Sequence, residues 1–114
     1  LNKKVNFYCR SIYKSNLNKT MRHLSRSLRY YYDAEYMAAL QEIEQAILVN
    51  PDIAAAYARR GAIYFKLGEQ QKAIINWNLA LKLDPEYEEV RKVLEAVHDK
   101  RLESATKLNN PGGL

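Results

Sequence analysis

Cysteine is nearly absent. The 114 residues contain one, Cys9, so no internal disulfide can form and the redox compartment stays open. Four glycines and three prolines exclude collagen-like and flexible low-complexity chains. No uninterrupted apolar run approaches the roughly 20 residues of a membrane span. Histidine is sparse: His23 and His98 have no paired Cys or His spacing, so no metal is expected. Glycine-rich phosphate loops are missing as well. Cys9 has no obvious base partner and reads as a buried or bystander thiol. The acid pairs Glu42/Glu44 and Glu88/Glu89 read as solvated helix faces. No catalytic constellation emerges, so neither an enzyme nor a cofactor is expected. The chain opens on Leu1 rather than Met, which points to a processed chain or a piece of a longer one, with any upstream signal or anchor out of sight.

One sign of charge is missing from a whole third of the chain. Residues 1–32 hold Lys3, Lys4, Arg10, Lys14, Lys19, Arg22, Arg26 and Arg29 and no Asp or Glu. That part carries +8 of a net +5, which leaves −3 for the remainder. A basic arm on a mildly acidic body suits nucleic acid, anionic lipid or an acidic protein surface, and equally a solvated helix face. Hydrophobic residues at 47% against 27% charged are the balance of a chain that buries a core, and the length suits one small domain.

A repeat organises the middle. Residues 20–53 align with 54–87 without gaps, a period of 34. Arg26 falls on Arg60, Tyr30 on Tyr64, Tyr31 on Phe65, Glu35 on Glu69, Ala39 on Ala73 and Leu40 on Ile74. Further on, Ala46 falls on Ala80, Ile47 on Leu81, Val49 on Leu83, Pro51 on Pro85 and Asp52 on Glu86. Ala39/Ala46 and Ala73/Ala80 are each seven apart on one helical face, where small side chains let helices approach closely. Tyr30 and Tyr64 are sized to fill the gap between paired helices, and Gly61 stands where backbones would cross. Leu67-Gly68-Glu69 reads as a left-handed helix end, and Pro51 and Pro85, after Asn50 and Asp84, as stops. The pattern predicts helices near 20–33, 36–49, 53–67, 70–83 and 87–104, hence an all-α solenoid of antiparallel helix pairs with flanking caps.

The second unit, with Tyr57, Gly61, Tyr64, Ala73, Trp77, Ala80 and Pro85, resembles the tetratricopeptide repeat. Tyr57, Arg60 and Trp77 stand where that pattern has Trp, Leu and Phe. The first unit is weaker, with His23, Arg26 and Ser27 at the Trp, Leu and Gly positions. Residues 88–104 continue the register as a solvating helix with Val90, Val93, Leu94, Val97 and Leu102 near one face. Glu95 and His98 there replace Gly61 and Tyr64. Residues 105–114 read as a flexible tail or linker. Residues 1–19 form a basic helix or arm. Val5, Cys9 and Ile12 suit a leftover second helix capping the front, and a mobile arm is the alternative.

The resemblance implies a protein-interaction scaffold whose first helices line a concave groove for a partner helix or extended segment. The groove positions are Met21, Leu24, Leu28, Tyr31, Tyr32, Ala55, Ala58, Ala62, Phe65, Lys66 and Lys92, with Glu89, Ala96 and Asp99 beyond. The competing reading packs them against the chain's own first 19 residues. Some relatives grip acidic tails with basic groove residues. Here Leu24, Leu28, Ala58 and Ala62 occupy the matching places, which argues against recognition of chaperone C-termini. Arg26 and Arg60 read as structural, their stems packed and their heads in water. Two other functions stay open: nucleic-acid binding through 1–32, with Tyr8, Tyr13 and Tyr30-Tyr31-Tyr32 stacking on bases, and a homodimer built through the end helices. Of these, nucleic acid is the lesser expectation, and no membrane partner is visible in the chain. The 74–81 stretch resembles bacterial repeats of envelope and motility assemblies, which implies a bacterial source and the periplasm, or else the cytoplasm.

Overall fold

The computed structural model describes the backbone of residues 2–109 and the side chains of 9–104. Five helices follow in order: α1 (Asn2–Tyr32), α2 (Tyr36–Val49), α3 (Ala54–Lys66), α4 (Gln70–Leu83) and α5 (Glu88–Asn109). The described residues hold no strand. α1 pairs with α2 and α3 with α4, α2 packs on α3, and α5 closes against α4. This is the expected all-α solenoid; α2, α3 and α4 lie within a residue of their expected bounds, and α1 ends where expected but starts far earlier.

The 34-residue register sets the joints. Each helix pair turns through one residue with positive φ: Gly68 at 81° in the second unit and Ala34 at 59° in the first. The hydrogen bonds match. Gly68 N–H donates to Phe65 O (3.1 Å) and Glu69 N–H to Tyr64 O (2.9 Å), while Ala34 N–H donates to Tyr31 O (3.1 Å) and Glu35 N–H to Tyr30 O (2.9 Å). Between units, Asn50 Oδ1 accepts from Asp52 N–H (3.2 Å) and Asp84 Oδ1 from Glu86 N–H (3.1 Å), the short Asx turns that start each new helix. The link to the preceding proline also recurs. Tyr57 Oη donates to Pro51 O (2.8 Å), and Arg91, one period later, donates to Pro85 O (2.5 Å) with different chemistry.

Two apolar clusters form the core. Leu24, Ala39, Ile43, Ala46, Ala56 and Ile63 join α1, α2 and α3. Ala73, Trp77, Ala80, Val90 and Val97 join α4 to α5. Ala39, Ala46, Ala73 and Ala80 are all wholly inaccessible, as their spacing requires. Tyr30 and Tyr64 pack half-buried against these clusters.

The ends differ from expectation. The backbone has no boundary at 19/20, because α1 runs unbroken from Asn2 to Tyr32. Residues 9–16 and 18–19 are exposed except Leu17, so this stretch extends the first helix rather than folding back as a cap. Val5's side chain lies outside the described residues. The extension explains principal dimensions of 75 × 29 × 17 Å. Cys9 sits exposed on it. At the other end α5 runs past 104 to Asn109, so the start of the expected tail is helical and 110–114 lie outside the described residues.

Candidate functional site: the hollow between α3 and α5

The concave side of α3 presents Ala58 and Ala62, one helical turn apart. Opposite them α5 brings Glu89, Val90 and Val93, and Tyr87 stands just ahead of that helix. Together with Trp77 these residues line a hollow of about 150 Å³. Its depth depends on two small residues. A leucine at either alanine would fill the space that the register leaves open.

Trp77 supports the floor from behind. Its indole Nε1–H donates to Ala58 O (3.2 Å), and its ring lies 5.8 Å from the Phe65 ring. The indole fits because Gly61 has no side chain there. A Cβ on Gly61 would stand 2.5 Å from Trp77 Cδ1 and Nε1 and 3.1 Å from Ala73 O. What Gly61 admits is therefore chiefly an indole ring, not the bare backbone crossing that the sequence suggested.

The expected groove residues separate into four places. Ala58 and Ala62 line the hollow. Ala55, beside them, is half-buried, and Phe65 (44% exposed) stacks against Trp77. Lys66 and Lys92 are exposed at the margins. Tyr31 and Tyr32 form an edge-to-face cluster with Tyr36: Tyr31 is half-buried, 5.8 Å from Tyr32 and 5.7 Å from Tyr36. Leu28 is half-buried. Leu24 is a correction, because at 7% exposure it belongs to the first core cluster and cannot face a partner. Its side chain joins Ala39, Ile43, Ala56 and Ile63 in that cluster, and Arg59 Nη1 reaches across from α3 to its backbone oxygen (2.9 Å). Burial lowers the Arg59 pKa, partly offset by Tyr87 and Tyr32. Met21 lies on a separate face with Arg22, Ser25, Arg26 and Arg29. Among the described residues, none of 9–19 lines the α3–α5 hollow.

Two polar bridges were invisible in the sequence, though they occupy equivalent places. Arg60 Nε donates to the buried Asn76 Oδ1 (2.6 Å) and the guanidinium stands 5.4 Å over the Tyr57 ring. One period earlier, Glu42 takes the place of Asn76 and pairs with His23 instead (2.7 Å). Glu42 is thus half-buried and partnered, not a solvated acid. Arg26, the counterpart of Arg60, is left exposed, so only Arg60 packs its stem as expected.

Stacked helix pairs with a concave hollow define a helical repeat scaffold. Residues 54–87 match the tetratricopeptide repeat family model, and the chain is a tetratricopeptide repeat protein. Such repeats are protein–protein interaction modules. The chain is 26% identical over 96 residues to heat shock protein STI1 of Saccharomyces cerevisiae, covering 84% of this chain and 16% of that one. It is 30% identical over 98 residues to Hsp70-Hsp90 organizing protein 3 of Arabidopsis thaliana, covering 82% and 17%. It is 29% identical over 80 residues to stress-induced-phosphoprotein 1 of Caenorhabditis elegans, covering 64% and 25%. The chain thus spans a quarter or less of the length of each of these relatives. All three are eukaryotic, and the bacterial source implied by the 74–81 stretch finds no support among them.

Proposed function

We propose that this chain docks a segment of another protein in the hollow between α3 and α5. The observation that carries this reading is the open, small-residue floor of Ala58 and Ala62 facing Val90 and Val93. An apolar wall with one carboxylate, Glu89, at its edge suits a bulky apolar anchor from a helix or extended strand. It does not suit an acidic tail, because Leu28, Ala58 and Ala62 stand where a basic grip would be needed. One relative is named as organizing Hsp70 and Hsp90. For this chain the lining favours an apolar element of a partner over a terminal carboxylate.

The experiment compares native chain with Ala62→Arg in a pull-down from source-cell lysate, quantified by mass spectrometry. The substitution fills the hollow with a charged side chain while leaving Ala73 and Ala80 untouched. The reading expects one protein captured by the native chain and lost by the variant. Equal capture by both chains removes the hollow from the mechanism.

A further inference from the structure

The face of α1 turned away from α2 and α3 carries Lys14, Lys19, Arg22, Arg26 and Arg29, all exposed, while the exposed Arg10 sits on the stripe of Leu17 and Leu24 at its flank. The opposite face holds the buried Thr20, Leu24 and Ser27. Arg22, Ser25, Arg26 and Arg29 with Met21 form a shallow hollow of about 520 Å³. From Lys14 to Arg29 the basic face runs for about 22 Å at 1.5 Å per residue.

The register shows what this face is not. Arg22 and Arg29 are the counterparts of Ala56 and Ile63, which are wholly buried on α3 against the preceding helix pair. Where the second unit is built to receive a neighbour, the first unit puts guanidiniums. An earlier repeat therefore has no apolar seat here. Solvation alone does not account for the face either. Exposed capping surfaces mix both signs, and α5 does so: Glu88, Glu89, Glu95, Asp99 and Glu103 alternate with Arg91, Lys92, Lys100 and Arg101. α1 has no acid at all. The ion pairs among the described residues, His23–Glu42, Lys72–Glu69 and Arg91–Glu88, involve none of its six exposed Lys and Arg side chains.

We propose that the outer face of α1, from Lys14 to Arg29, binds the phosphate backbone of nucleic acid, at a site separate from the α3–α5 hollow. Phosphates recur every 3.4 Å or so of duplex axis on one strand, so this face is about as long as six of those steps. Guanidinium forks match phosphate oxygens, and Ser11, Ser15 and Ser25, exposed between the basic residues, add hydroxyl donors. A protein interface adds buried aromatic and aliphatic anchors to its arginines, and a helix lying on a lipid surface adds a buried apolar face to its charges. Among the described residues this face offers two apolar side chains, Met21 and, on the stripe of Lys19 and Arg26, Ile12, a small apolar share beside five cations. The exposed Tyr13 lies on the body-facing side, in line with Thr20 and Ser27. Binding here is independent of base sequence. Tyr13 points away and Tyr31 is held between Tyr32 and Tyr36, while Tyr32 itself is 77% exposed and the side chain of Tyr8 lies outside the described residues.

The test is fluorescence anisotropy of the full chain with labelled RNA and DNA of about 20 nucleotides at about 50 to 200 mM salt. The comparison variant is Arg22→Ala/Arg26→Ala/Arg29→Ala, with circular dichroism to confirm folding. Lys82→Ala/Lys100→Ala removes charge elsewhere as a control. The proposal expects both nucleic acids to bind, with a steep salt dependence whose slope falls by about 2–3 in the triple variant. Affinity at about 0.1 M salt should fall at least ~20-fold in the triple variant and less than ~3-fold in the control. It is overturned if neither nucleic acid binds at the lowest salt, or if the control loses as much as the triple variant. It is also overturned if phosphatidylcholine vesicles with about 30% phosphatidylserine are bound while nucleic acid is not.

Discussion

Gly61 and Trp77 are built around each other: a Cβ on the glycine would sit 2.5 Å from two atoms of the indole. The ring cannot retreat freely, since its Nε1–H is tied to Ala58 O and its far side meets Phe65. It forms the back of the hollow, so stability and site geometry share one contact.

Gly61→Ala is expected to destabilise the chain by about 2–3 kcal/mol through overpacking. Trp77 is the only tryptophan, so its emission reports both unfolding and displacement. Urea titration followed at Trp77 checks this. A variant within ~0.5 kcal/mol of native would mean that the ring moves aside without cost.

Ala34 occupies the left-handed position that Gly68 fills one period later. An L-residue there costs roughly 1 kcal/mol. Ala34→Gly should therefore stabilise the first helix pair by about 0.5–1 kcal/mol despite the added unfolded-state freedom. Gly68→Ala should cost about 1 kcal/mol, although no atom lies within 4 Å of the new Cβ. Paired thermal melts of the two variants, moving in opposite directions, check the point. A destabilised Ala34→Gly would contradict it.

His23 and Glu42 meet at 2.7 Å with side chains 23% and 21% exposed. Their hydrogen bond links α1 to α2 in the unit whose sequence pattern is weaker. Glu42→Ala should cost about 1–2 kcal/mol, and a double-mutant cycle with His23→Ala should return a coupling of about 1 kcal/mol. Additive single effects would show that the contact contributes nothing.

The repeat made most of the fold legible. Four alanines at seven-residue spacing, two Pro stops and Gly68 fixed the pair geometry, and all stand where the period puts them. The front end was not legible, because residues 3–15 carry an apolar period that a folded-back cap and a straight extension share. The structure extends the helix and leaves Ile12 and Tyr13 exposed. Within the site, Ala58 and Ala62 followed from register, but Leu24 did not. A groove position in one unit becomes core when the next unit brings Ala56 and Ile63 into the same cluster, a joint that Arg59 ties at the Leu24 carbonyl and that spacing within one unit does not show. The substitution of Glu42–His23 for Asn76–Arg60 escaped for a similar reason. Polar bridges between helices depend on reach and partner choice, which spacing does not encode.

The most direct measurement places a photo-crosslinking amino acid at position 62, in the hollow, and in a second chain at the exposed position 41 of α2. Both chains are irradiated in source-cell lysate, and the joined peptides are mapped by mass spectrometry. The account predicts one partner segment, rich in apolar side chains, joined at 62 and absent at 41. Adducts at 41 alone, or the same adducts at both positions, would contradict docking in the α3–α5 hollow.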